Sequence, residues 1–135
     1  MGLDMYLFRR KKFRENDPEY NELAKQSTEE VMYWRKANQI RQWLVNNTGY
    51  DSEANCKDHE LTKVQLVQLR DDCQRVGHDA SLAKEVMPIS TGYFFGSDKY
   101  DNWYFEELRD TADKLDTIIK ETNWETETID YFEWW

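Results

Sequence analysis

The stretch from about Thr28 to Asn46 constrains the fold of this chain most. Read as a single helix, it is apolar on two sides. Tyr33, Ala37, Ile40 and Leu44 form one row at helical spacing. Trp34, Asn38, Arg41 and Val45 form a second row, about 100° away. Arg35, Gln39 and Gln42 are left for water. A helix with two occupied faces packs between layers. Ser27 or Thr28 can cap its start, with Glu30 in the first turn. Asn46-Asn47-Thr48-Gly49 ends it, and Gly49 can take the left-handed conformation there.

The chain ends read differently. Leu3, Met5 and Leu7 alternate with Asp4, Tyr6 and Phe8, a strand pattern. A basic cluster, Arg9-Arg10-Lys11-Lys12 with Arg14, and then Asp17-Pro18 break it. The polar stretch to Gln26 is a loop or a short helix. The C-terminal stretch Ile129 to Trp134 is β-branched and aromatic and reads as a second strand. A lone strand is unstable, so the two ends are expected to pair. Between them, Tyr50 to Glu60 reads as a loop. Thr62 and Gln65 form a capping box for a helix buried through Leu66, Leu69, Cys73 and Val76 and ended by Gly77. A short helix over Ala80 to Val86 stops at Pro88. A third long helix, from about Asp101 to Lys120, turns Tyr104, Leu108, Thr111, Leu115 and Ile118 or Ile119 inward. It turns Glu106, Asp110 and Asp113 outward. The expectation is one α+β domain over residues 1–135, with three main helices and a small antiparallel sheet made by the N- and C-terminal strands.

Composition agrees with one folded body. A chain of 135 residues can bury a core without disulfide staples. Hydrophobic content is only 39%, but aromatics make up 15% and supply large buried area per residue. The net charge of −9 repels nucleic acid on average, which makes nucleic acid an unfavoured partner. No apolar run approaches the roughly 20 residues that span a bilayer. The N-terminus lacks the apolar core of a signal peptide. Two cysteines are no disulfide framework, and a reducing cytoplasm is the expected compartment.

Few residues carry obvious chemistry. Cys56, His59, Cys73 and His78 run C-x2-H, thirteen residues, then C-x4-H, a spacing that sterically allows zinc. Cys73 also fits the apolar stripe of its helix, and His78 suits a helix C-terminus, so no metal or other cofactor is assigned. Ser90 and Ser97 have no motivated histidine. Gly92 and Gly96 lack the Lys-Ser/Thr of a P-loop. The acids Glu106, Asp110 and Asp113 suit a solvated face or a contact with a basic partner. Asn38 and Arg41 lie beside Trp34 and Val45 and need partners. Either Arg41 pairs with an acid while Asn38 bonds a loop backbone near Gly92 to Ser97, or Trp34, Asn38 and Arg41 line a pocket with Tyr93, Phe94 and Phe95. Arginine and aromatic planes together suit a phosphate- or base-bearing ligand.

Three segments in order, Met1-Gly2-Leu3-Asp4-Met5-Tyr6-Leu7, Tyr33-Trp34-Arg35-Lys36-Ala37-Asn38 and Gly92-Tyr93-Phe94-Phe95-Gly96-Ser97, resemble a family of small proteins encoded by phages and prophages. Tyr100-Asp101 and the positions of Cys56 and Cys73 fit the same resemblance; His59 and His78 do not. No activity is assigned to that family, so the resemblance implies context: the cytoplasm of a bacterial host. The function expected is that of a non-catalytic accessory protein binding a host protein, an anti-defence inhibitor with Glu106, Asp110 and Asp113 in the contact. One alternative is sequestration of a nucleotide-like ligand by Trp34, Asn38, Arg41 and Tyr93 to Phe95. The other is a small hydrolase, metal-dependent if the Cys and His residues converge. The oligomeric state is not legible.

Overall fold

The computed structural model describes residues 2–53, 55–90 and 99–135. Its elements in chain order are β1 (Asp4–Lys11), α1 (Pro18–Gln26), β2 (Glu29–Arg35), α2 (Asn38–Thr48), β3 (His59–Leu61), α3 (Lys63–His78), a 3-10 turn (Ala80–Leu82), α4 (Ala83–Val86), α5 (Asn102–Glu121) and β4 (Glu127–Trp134). The class is α+β, as expected. The sheet is larger than the expected pair of terminal strands. It has four antiparallel strands in the order β2-β1-β4-β3.

The two chain ends do pair: β1 and β4 run antiparallel with Tyr6 opposite Phe132 and Met5 opposite Glu133. The alternation in β1 sends Leu3, Met5 and Leu7 into the core. From β4, Ile129 and Tyr131 join them.

The helix expected over 28–46 is not formed. Residues 29–35 are strand β2, paired with β1 so that Tyr33 faces Tyr6 and Met32 faces Leu7. Period two wins here: Met32 and Trp34 are buried, whereas Tyr33 and Arg35 are exposed. Val31, Tyr33 and Trp34 are residues that fit a pleated surface better than a helix. Lys36 then takes a left-handed φ of 57°, which ends the strand. Helix α2 begins only at Asn38, after Ala37, which offers no side-chain cap. The apparent row of Tyr33, Ala37, Ile40 and Leu44 therefore straddles two elements. Its last three members are core, but Tyr33 is 44% exposed on the other side of the sheet. The C-terminal end is as expected, with Gly49 left-handed at φ 71°.

The long helices lie against the inner face of the sheet. Helix α3 opens with the Thr62–Gln65 capping box and buries Leu66, Leu69, Cys73 and Val76. Asp101 accepts from the Tyr104 amide to start α5, which buries Tyr104, Leu108, Thr111, Leu115, Ile118 and Ile119. The two helices meet at Gly77, inside the last turn of α3, where an added Cβ would come within 2.7 Å of Arg109 Cγ. Arg109 Nη1 also donates to the Gly77 carbonyl at 2.6 Å. Two indoles tie the layers together through their one polar atom. Trp34 Nε1 donates to Thr111 Oγ1 at 2.9 Å, and Trp43 Nε1 donates to Asp72 Oδ2 at 2.8 Å. No helix among the described residues is long and apolar enough to cross a membrane.

Candidate functional site

Two places gather polar residues singled out in the sequence. They differ in kind. The first is a buried network beneath the end of β4. Glu133 is fully buried, and Arg41 on α2 reaches it from the core side of the sheet. Arg41 Nε donates to both carboxylate oxygens, at 2.9 and 3.0 Å. Arg41 Nη2 donates to the Ser52 carbonyl at 2.6 Å. The Tyr131 hydroxyl and the Trp135 indole also donate to Glu133, at 2.8 and 2.6 Å. Burial and the neighbouring carboxylate push the Tyr50 and Tyr131 hydroxyls well above their ordinary pKa, so both remain protonated donors. Every strong group here is answered at short range, and the network holds α2, the loop after it and the chain end in one register.

The second place is an open cleft of about 530 Å³ between the β2–α2 junction and the first half of α5. Arg35, Lys36, Asn38 and Gln39 form one wall, and Trp103, Glu106, Glu107 and Asp110 the opposite one. Ile89 and Lys99, which flank the glycine- and aromatic-rich segment in sequence, line it too. The Asn38 side chain, 2% exposed, accepts from the Ser90 amide at 3.1 Å through Oδ1. That bond reaches the loop backbone two residues before the glycine at 92. Gln39 donates to Glu107 Oε1 at 2.9 Å. Burial raises the Glu107 carboxyl above its ordinary range, against the lowering pull of Gln39. Trp103 stands at the rim, 80% exposed.

The expected site residues are thus redistributed. Asn38, Glu106 and Asp110, read from two different parts of the chain as members of two different sites, line one cleft. Asp113 lies one turn on and borders a separate depression with Arg9, Glu29 and Glu30. Trp34 and Arg41 are not among the residues that line the cleft; their polar atoms are engaged inside the protein, by Thr111 and Glu133. Tyr93, Phe94 and Phe95 lie outside the described residues. Arg35 is exposed as expected, but Gln39, expected in water, is 4% exposed. Arg35, Lys36, Gln39, Trp103 and Glu107 were not legible as site residues. The only available signal was that Lys99 and Trp103 follow the aromatic segment closely in sequence and that Gln39 adjoins Asn38.

The cysteines and histidines do not form a cluster. Cys73 is fully buried, and burial raises its thiol pKa, which keeps it protonated. Cys56 is exposed in a turn at φ 64°. His59 packs at a tilt against Tyr50 and sits 3.0 Å from Thr48 Oγ1, while His78 is exposed at the end of α3. Among the described residues no three His, Cys, Asp or Glu side chains are grouped so as to hold a metal ion. Compared with known proteins, the chain matches no family, no curated protein and no solved structure.

Proposed function

We propose that this chain is a non-catalytic accessory protein of phage origin that binds a host protein through the cleft between the β2–α2 junction and α5. The observation that carries the reading is Trp103 beside Glu106 and Asp110. A tryptophan left 80% in solvent serves no core, and tryptophan is the residue type most enriched at binding hot spots. The carboxylates next to it suit a basic side chain of the partner. The net charge of −9 steers such a partner inward. The resemblance of three sequence motifs to phage-encoded proteins supports the host context, the bacterial cytoplasm. The test is capture of host proteins by the wild type and by a Glu106→Lys/Asp110→Lys variant. The reading expects a specific partner lost on charge reversal, with an unchanged melting curve. A partner retained by the variant would refute it.

A second reading rests on the other wall. Arg35, Lys36 and Lys99 place cationic side chains around the same volume, with the Trp103 ring at its rim. That set suits a nucleotide-like ligand, its phosphate on the cations and its base on the indole. Here Arg35→Ala/Lys36→Ala abolishes binding of a nucleotide panel in equilibrium dialysis. Under the protein-partner reading the same variant binds its partner nearly as well as wild type.

A further inference from the structure

Strand β2 is an edge of the sheet. β1 pairs with one side of it, and among the described residues no strand lies on the other. The Lys36 amide donates to the Leu3 carbonyl at 2.7 Å, which fixes the phase of the ladder. By alternation, Met32 and Trp34 turn their backbone groups toward β1, whereas Tyr33 and Arg35 turn theirs away. Tyr33 and Arg35 each present one amide and one carbonyl at the open edge. Among the described residues no backbone hydrogen bond from another element reaches them there. The opposite edge strand, β3, is only three residues long, and a short edge discourages further strands. β2 has seven residues and lacks that protection. A register shift opposite the Leu7–Phe8 step confines its regular part to residues 32–35.

A groove runs beside this edge. The cleft of about 530 Å³ has Arg35 on one wall and Glu106 and Asp110 on the other. A second depression, of about 510 Å³, has Glu30 and Val31 on one wall and Asp113 and Thr117 on the other. Going down β2 from 35 to 30 therefore follows α5 from 106 to 117, and the two depressions succeed one another along the strand. No residue of α1 lines either of them. Glu106, Asp110 and Asp113, at i, i+4 and i+7, make one exposed stripe of α5 along both. Acids outnumber bases in each lining, and Arg9 and Lys114 are already held by Glu29 and Asp110.

We propose that an extended, basic segment of the partner adds to β2 as a further strand, bonded through its backbone to Tyr33 and Arg35 and through alternate side chains to the acids of α5. Open amides and carbonyls at strand spacing are met by another extended backbone. Side chains of such a strand alternate. One set lies beside Tyr33 on the outer face of the sheet. The other points to α5, where lysine or arginine meets Glu106, Asp110 and Asp113. A helix brings no backbone edge to the strand, and a polyanion is repelled by the acidic stripe. This inference rests on the reading that the cleft binds a protein, and it names the conformation and charge of the segment bound. It also rejoins Asp113 to Glu106 and Asp110, as one contact surface along the strand.

The probe is an acetylated, amidated peptide of alternating lysine and valine, about seven residues long, titrated into the full chain and followed by NMR. Two further peptides are N-methylated, one on every valine and one on every lysine, so that each has one hydrogen-bonding edge blocked. The parent peptide is expected to slow hydrogen exchange at the Tyr33 and Arg35 amides and to leave the Trp34 amide, already turned to β1, unchanged. One methylated peptide loses at least about tenfold in affinity and the other binds like the parent. The same peptide with glutamate in place of lysine does not bind. Absence of parent binding up to about 1 mM, equal affinities of the two methylated peptides, unprotected Tyr33 and Arg35 amides, or equal binding of the glutamate peptide overturns the proposal. The two readings fail separately. A host partner captured through Glu106 and Asp110, with the methylated peptides binding alike, keeps the cleft reading and removes strand addition. Edge-specific peptide binding, with host capture indifferent to Glu106→Lys/Asp110→Lys, keeps strand addition and removes the cleft reading.

Discussion

Helix α2 contributes to two polar regions that look alike in sequence and behave differently in the fold. Only two residues separate Asn38 from Arg41, yet one borders the open cleft and the other is locked under β4. At Arg41 the opposite charge is 2.9 Å away, and both partners are at least 95% buried. In the cleft, Arg35 and Lys36 stand on one wall of about 530 Å³ of open space, with Glu106 and Asp110 on the other. A charge matched at contact distance in the interior serves the fold. Charges set around solvent, held at most by an exposed pair such as Asp110 with Lys114, are available to a ligand.

The comparison breaks first at the buried pair. Arg41→Ala leaves Glu133 charged, buried and short of its main partner, and should cost about 3–5 kcal/mol in urea unfolding. A loss below about 1 kcal/mol would remove the network from the list of fold determinants. Trp34→Phe keeps most of the ring but strands the Thr111 hydroxyl, and should cost roughly 1–3 kcal/mol. The cleft should respond in the opposite sense. Glu106→Lys/Asp110→Lys should change stability by no more than about 0.5 kcal/mol, because both side chains are exposed and Asp110 has only a surface pair with Lys114.

A pH dependence belongs to the outer face of the strands. Burial pushes the Asp130 carboxyl up to about 6, against the lowering pull of Arg10, with Asp58 and Glu60 adding to the rise. Its folded pKa is above the ordinary 3.8 of the unfolded chain. The folded state thus holds a proton that the unfolded chain has already lost. That contribution to stability is present at low pH and is lost as pH rises through about 6. Asp130→Asn should flatten the change in unfolding free energy between about pH 4 and about pH 6. An unchanged slope would mean that another group sets it.

Much of the fold was legible where pattern and end signals agreed. The capping box at Thr62, the start of the last helix near Asp101, the stripes of α3 and α5 and the pairing of the chain ends all follow from local pattern. Residues 29–35 were misread because Tyr33, Ala37, Ile40 and Leu44 mimic helical spacing across a strand–helix junction. Only the exposure of Tyr33 and the left-handed Lys36 reveal the break, and both depend on strand β1 lying alongside. The partners of Asn38 and Arg41 were legible as types, a loop backbone and an acid, but not as Ser90 and Glu133. The cleft was less legible because it joins residues far apart in the chain, Gln39 and Glu107 by 68 positions. Gln39 and Glu107 carry no motif, only a meeting imposed by packing α5 beside the β2–α2 junction.

The most direct measurement is quantitative capture of host proteins by three folded forms: wild type, Glu106→Lys/Asp110→Lys, and Arg41→Met/Glu133→Leu, which replaces the buried pair with apolar residues of similar size. Loss of the partner in the cleft variant, with capture retained by the repacked network, is the predicted result. Capture that survives charge reversal in the cleft but disappears when the network is repacked would contradict the account.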